Sequence, residues 1–286
     1  MAQKNKILIL GGNSYIGSNL YSFLKNDYNV YVTKNLKSKN IIFHKINKNK
    51  IINVNIKKNH LNINKNFNII INCIGNTKNF KNDNYDVKLS NELLKKNILF
   101  LNKLNYKLLI HISSSMVYGF SKKKFSEKFK CKPITHYGKF KFKEENIMTN
   151  SLNLNNKKII ILRLFSIFGK QNKKGSIFYL LKNKKKFKVN NPNHEFDLIS
   201  MNYFSKIVKK IILRRNKLKD KEIINCCSGN PITPIKLINL NNKNVSKIIY
   251  KKSKNNSKQI GNNKKLIKLL NITKFNLKKE IDKLNV

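Results

Sequence analysis

The chain has 286 residues, 40% of them hydrophobic, and a formal charge of +48 from 61 Lys and Arg against 13 Asp and Glu. That is enough apolar content for a core, and at face value enough charge for a nucleic-acid or membrane-surface binder. The charge is discounted, because only Arg163, Arg214 and Arg215 are arginine and the lysines run from Lys4 to Lys283 without a confined patch.

An excess of Lys, Asn and Ile beside a single alanine, Ala2, is the imprint of A/T-rich coding, not of a dedicated nucleic-acid face. Ile7–Leu10 is too short for a signal peptide, and nothing approaches a membrane span. Cys73, Cys131, Cys226 and Cys227 have no metal or disulfide spacing, and the five histidines show no paired-ligand spacing. The expectation is a reduced, cytoplasmic protein without a metal.

In chain order, Lys6–Leu10 predicts a buried strand, and Gly11-Gly12-Asn13-Ser14-Tyr15-Ile16-Gly17 turns it into a helix over Ser14–Lys25. Glycines let a backbone approach a pyrophosphate, and the helix N-terminus offers N–H groups to it. A second strand over Asn29–Thr33 ends on Thr33-Lys34-Asn35. An acid there would read a ribose hydroxyl, whereas Lys34 suits a 2′-phosphate, so Lys34 points to NADP over NAD. Lys34–Asn68 is a Lys/Asn/Ile mixture with apolar runs at Ile41–Phe43 and Ile51–Ile56, read as a third strand and an ill-defined helical region.

Asn68–Cys73 predicts a fourth strand, Tyr85–Asn102 a helix with a core stripe, and Lys107–Ser113 a buried strand. Ser113, Ser114 and Ser115 then stand at a strand's carboxyl end, where open α/β sheets place their chemistry. A helix beginning near Pro133–Thr135 carries Tyr137 and Lys141 on one face. Further strands are expected over Lys158–Leu164, at Phe196-Asp197-Leu198-Ile199-Ser200 and near Asn225, with closing helices over Lys264–Asn271 and Phe275–Leu284.

A strand-end hydroxyl with a phenol and an ammonium supplies the parts that move a proton while a hydride leaves or arrives. Tyrosine ionises near pH 10, roughly three units too high for a neutral-pH base, and a nearby cation lowers it; Lys141 is expected to do this. The spacing alone says little. With 11 tyrosines in so lysine-rich a chain, chance yields about two Tyr-x-x-x-Lys matches, and the chain has Tyr21/Lys25, Tyr118/Lys122, Tyr137/Lys141 and Tyr250/Lys254. Tyr21 falls on the first helix, Tyr118 in the turn after the serines and Tyr250 after a late strand; Tyr137 alone follows the serine strand by a loop and a helix start.

His111-Ile112-Ser113-Ser114-Ser115-Met116-Val117-Tyr118-Gly119, followed by Glu127, Pro133-Ile134-Thr135 and Tyr137-Gly138-Lys139-Phe140-Lys141, resembles the extended short-chain dehydrogenase/reductases. These are the NAD-dependent epimerase/dehydratase enzymes, many of which act on nucleotide sugars. The resemblance implies a Rossmann-type doubly wound sheet over 1–164, to which 197–226 returns, and a smaller substrate lobe over 165–286. It implies Ser114, Tyr137 and Lys141 as the catalytic set, Ser114 standing three residues before Val117. It also implies Gly11, Asn13, Ser14, Tyr15, Ile16, Gly17, Lys34 and Asn55 as cofactor-binding, with Tyr137 and Lys141, and Ser115 and Ser166 as substrate-binding. NAD or NADP, a sugar or nucleotide-sugar substrate and a homodimer follow as expectations.

The sequence departs from the family's pattern in several places. Ser14 replaces the middle glycine, Asp86 an Asn, Ser166 a substrate-contacting Asn, and Phe196 an Arg that pairs with substrate phosphates. Sugar 4,6-dehydratases carry Asp-Glu after the catalytic Ser/Thr, where this chain has Ser115 and Met116. This argues against water elimination and favours reduction of a keto-sugar or, as an alternative, nucleotide-sugar 4-epimerisation. A non-catalytic RNA-binding or scaffold relative is the competing class.

Overall fold

The computed structural model describes residues 5–35, 46–54, 66–76, 84–152, 156–170, 186–240, 247–251 and 258–284. Seven strands form one parallel sheet: β1 (Lys6–Leu10), β2 (Asn29–Asn35), β3 (Ile51–Val54), β4 (Ile69–Asn72), β5 (Leu108–Ser114), β6 (Lys158–Leu164) and β10 (Lys221–Cys226). Their order is β3-β2-β1-β4-β5-β6-β10, so the direction of winding reverses between β1 and β4. At such a switch point the carboxyl ends of the strands open a crevice for a ligand.

The strands read as continuous apolar runs because helices cover both faces. Along β1, Ile7 and Ile9 join the core under helices α1 (Tyr15–Leu24) and α4 (Met201–Arg214), while Leu8 and Leu10 face α2 (Val87–Lys103) and α3 (His136–Asn150). All seven residues of β5 are buried. Helices α1, α2 and α3 begin on side-chain caps: the Ser14 hydroxyl accepts the Gly17 N–H, the Asp86 carboxylate accepts the Leu89 N–H, and the Thr135 hydroxyl accepts the Gly138 N–H. A cap of this kind is worth about 0.5–2 kcal/mol.

Beyond β6 a small three-stranded sheet forms from β7 (Ser166–Phe168), β9 (Phe196–Ser200) and β11 (Pro231–Ile232), and β8 (Lys186–Asn190) pairs with β12 (Lys247–Lys251). Tyr250 thus lies within β12 and not after it. Of the segment expected to return to the large sheet, α4 packs against α1 and β10 extends the sheet beside β6, while β9 stays in the small sheet. Helices α5 (Pro234–Leu240), α6 (Lys264–Leu270) and α7 (Leu277–Asp282) complete the described chain.

Buried carboxylates tie these parts together. Asp197 on β9 accepts N–H groups from Ser228 and Gly229, and Glu280 on α7 accepts from the Ser200 hydroxyl and the Asn202 amide. No helix among the described residues is long and apolar enough to cross a membrane.

Candidate active site

The first half of the site is the turn between β1 and α1. Gly11 takes φ +77°, a conformation that side chains disfavour, and a Cβ on Gly17 would stand 2.3 Å from the Gly11 carbonyl oxygen. Both positions therefore need glycine, and the turn stays tight enough for a phosphate to meet backbone. Thr33 pins it from β2: its hydroxyl accepts the Gly11 N–H and its carbonyl accepts the Gly12 N–H, both at 3.0 Å. Ser14, where the family's pattern has glycine, turns its hydroxyl back onto the Gly17 N–H. Asn13, Tyr15 and Ile16 follow the turn, and the Tyr15 hydroxyl lies over Gly169, just past β7.

Beside the turn, a crevice at the carboxyl ends of the strands is lined by Leu10, Thr33, Val54 and Ile74 and, from α2, by Asn97 and Phe100. Asn97 is 4% exposed, and among the described residues neither its amide nitrogen nor its oxygen has a hydrogen-bond partner. A buried amide with donor and acceptor both unsatisfied is costly unless a ligand supplies the complement, and an adenine edge does so. Turn and crevice together fit a dinucleotide. Lys34, half-buried, ends the same edge in register with Asn53 of β3. Asn55 lies outside the described residues.

The second half is built by β5 and α3. Ser114 ends β5, and its hydroxyl accepts the Met116 N–H at 3.2 Å and shares a side-chain hydrogen bond with Tyr137. Thr135 starts α3 so that Tyr137 falls in its first turn and Lys141 one turn later. The Lys141 ammonium donates to the Ile112 carbonyl at 3.1 Å, and a Cβ on Gly75, just beyond β4, would lie 3.5 Å from it. Ser114, Tyr137 and Lys141 therefore meet at the carboxyl ends of β4 and β5. Tyr85, ahead of α2, sets its ring edge-on to Tyr137 at 5.6 Å between centroids.

Burial pushes the Tyr137 hydroxyl above its ordinary value of 10 and is the largest influence on it; Lys141 pulls it down, Glu144 pushes it up again, and the Ser114 bond pulls it down. The pull of Lys141 has the expected direction, but burial outweighs it. The ammonium also has a carboxylate of its own. Glu144 Oε2 sits 2.6 Å from Lys141 Nζ. Burial opposes the charge on Glu144, yet Lys141 and His111 hold it down to about 2. Burial likewise opposes the Lys141 charge, and Glu144 outweighs it, raising the ammonium above its ordinary 10.5.

Glu144, His111, Asn72 and Tyr85 went unseen in the sequence. For Glu144 a signal existed: residues 137, 141 and 144 repeat at i, i+4, i+7, one face of a helix. His111 had one too, since polar residues inside KLLIHIS sit on a strand face that must be buried.

The remaining expected residues are more dispersed. Ser115 is buried in a single turn after β5, and Ser166 is exposed at the start of β7. Phe196, where the family's pattern has arginine, stacks on His194 at 6.2 Å and 11°.

Residues 7–227 match the model of the NAD dependent epimerase/dehydratase family. The chain belongs to this family. No curated protein matches its sequence, but solved structures of the family share its fold. A UDP-N-acetylglucosamine 4-epimerase from Methanobrevibacter ruminantium, in complex with UDP-N-acetylmuramic acid, superposes with TM-score 0.79 at 15% identity, covering 98% of this chain and 96% of that one. A UDP-glucose 4-epimerase with UDP-glucose from Thermotoga maritima gives 0.75 at 19% identity, over 96% of each chain. A dTDP-glucose 4,6-dehydratase in complex with NAD from Bacillus anthracis gives 0.78 at 16% identity, over 98% and 95%. At these identities the likeness is one of fold. The Rossmann-type sheet expected from the sequence is this epimerase/dehydratase fold.

Proposed function

We propose that this member of the epimerase/dehydratase family is an NAD(P)-dependent enzyme that acts on a sugar, carried on a nucleotide, by reducing a ketone on the ring. One observation carries the reading: Ser114, Tyr137 and Lys141 converge beside Gly75, next to a tight glycine turn that leaves backbone open to a ligand. When bound, the dinucleotide supplies hydride. The turn over Gly11–Gly17 holds its phosphates, Asn97 and Lys34 face its adenosine end, and Lys141 donates to its ribose.

Ser114 holds the substrate carbonyl oxygen while Tyr137 gives it a proton. The C=O π bond breaks as C–H and O–H bonds form, and the tyrosinate left behind is stabilised by Lys141. A hydroxyl kept protonated by burial suits donation. Positioned acid–base work of this kind contributes about 10²–10⁴ in rate. Ser115 and Met116 bring no second acid–base pair, which argues against dehydration. Lys34 supports a preference for NADP.

A second reading is nucleotide-sugar 4-epimerisation through a transient ketone, favoured by the two 4-epimerases among the structures of like fold. Denaturing the purified protein and identifying any released nucleotide separates the two. Retained NAD or NADH selects the epimerase, which must keep its cofactor through the cycle. An empty protein that binds NADPH more tightly than NADH selects the reductase. Binding of neither removes the dinucleotide reading and leaves a non-catalytic relative.

A further inference from the structure

Between the sheet and α3 lies a buried layer of polar side chains. On the sheet's α3 side Ile70 and Leu109 give way, one step along each strand, to Asn72 and His111, which are register partners. The Asn72 amide nitrogen stands 3.2 Å from His111 Nδ1, and its oxygen accepts the Ile74 N–H. That bond orients the amide, so Asn72 donates to Nδ1 and the imidazole proton resides on Nε2. Nε2 faces Glu144 Oε2 at 3.3 Å, near enough to feel the carboxylate but not aligned for a hydrogen bond. The same oxygen takes the Lys141 ammonium, and Asn72, His111, Lys141 and Glu144 are all at most 4% exposed.

Lys141 has three N–H bonds. One goes to Glu144 and one to the Ile112 carbonyl, so both fix the ammonium from below and leave the third for a ligand hydroxyl. Among the described residues, the groups facing Tyr137 include Lys141 and Glu144 from its own helix, Ser114 from β5 and Tyr85 from ahead of α2; His111 stands behind Glu144. Glu144 therefore opposes the Lys141 charge at the phenol, and burial opposes it further.

We propose that Glu144 is a positioning residue: it clamps Lys141 against the β5 backbone and offsets part of its charge at the Tyr137 hydroxyl, which favours giving a proton over taking one. This rests on the reading of Tyr137 as the proton donor. It also separates Lys141's two tasks, keeping the hydrogen bond to the ribose and muting the pull on the phenol.

The test follows Tyr137 ionisation by NMR, as the Cζ shift of ¹³C-tyrosine in the ligand-free protein, assigned by Tyr137→Phe. The midpoint is expected to fall by about one pH unit in Glu144→Gln, a tenfold gain in tyrosinate at a given pH. Glu144→Asp, which keeps the charge but retracts it, should lie between Glu144→Gln and the unaltered protein. With a keto-sugar substrate, the basic limb of the kcat profile should move down in the same order.

An unmoved or raised midpoint in Glu144→Gln overturns the proposal. Should that variant fail to fold, Glu144→Asp decides alone: a lower midpoint supports the proposal, an unchanged one rejects it. The titration uses no nucleotide, so a failed functional reading shows separately, as absence of NADPH and NADH binding.

Discussion

Glu144 and Glu145 are adjacent on α3, equally buried, and each is paired with a cation, yet they belong to different parts of the molecule. Glu145 takes Arg163 in a two-pronged bond, Nε and Nη2 at 3.0 and 2.7 Å, together with the Ser113 hydroxyl at 2.5 Å. Arg163 in turn lies over the Tyr118 ring at 4.7 Å and ties α3 to β5 and β6. Glu144 takes Lys141, which touches the candidate site. The partners differ in what they can do: the planar fork of a guanidinium fixes geometry, whereas an ammonium is a point charge. One carboxylate therefore serves the fold and the other the chemistry.

The sharpest way to test that division is on the site side. Tyr137→Phe should lower kcat by about 10²–10⁴ while thermal melting stays near that of the unaltered protein. A variant that lost stability and rate together would erase the distinction. On the fold side, Glu145→Gln should cost about 3–5 kcal/mol in urea unfolding, because it strands the Arg163 charge in the core. Glu144→Gln should cost less, about 3 kcal/mol, because the Lys141 ammonium stays charged and keeps the Ile112 carbonyl. Equal losses for the two would refute the comparison.

Acid should act through Glu144. Its folded value, near 2, lies below the ordinary 4.5, so its contribution is complete above pH 4.5 and disappears as pH falls toward 2. The depression corresponds to stability on the order of 3 kcal/mol. Lys141, raised in the fold, contributes fully below its ordinary 10.5 and loses this as pH climbs through its folded value. Unfolding free energies measured from pH 2 to 7 should show the acid slope, and Glu144→Gln should flatten it. The smallest effect expected is that of Thr135→Ala, about 1 kcal/mol in melting experiments, since it removes only the cap that starts α3.

Much of the sheet was legible in the sequence because β1, β5 and β6 are unbroken apolar runs bounded by turns, and such runs survive any change in the surface around them. The starts of α1 and α3 were legible for another reason: Ser14 and Thr135 are capping types standing just before helical patterns. β7 and β8 were not, and the end of β12 was placed short of Tyr250. They are short or lysine-rich, and in a chain flooded with Lys, Asn and Ile the contrast between inner and outer positions that marks a strand is weak.

At the site the sequence names Ser114, Tyr137 and Lys141, and packing brings them together. What the sequence does not show is the burial that lifts Tyr137 against the pull of Lys141, nor that Glu144 and not solvent faces Lys141.

Among the described residues, Glu144, Glu145, Asp197, Glu222 and Glu280 are less than a tenth exposed. Carboxylates are seldom so buried unless they are paired. When lysine is the background, its presence at any position carries little information, and the rare letters carry the message. A surface acid can be exchanged at small cost, but one holding an arginine or two backbone N–H groups in the core cannot. In a sequence with so skewed an alphabet, the negative charges that remain mark the places where the structure has no substitute.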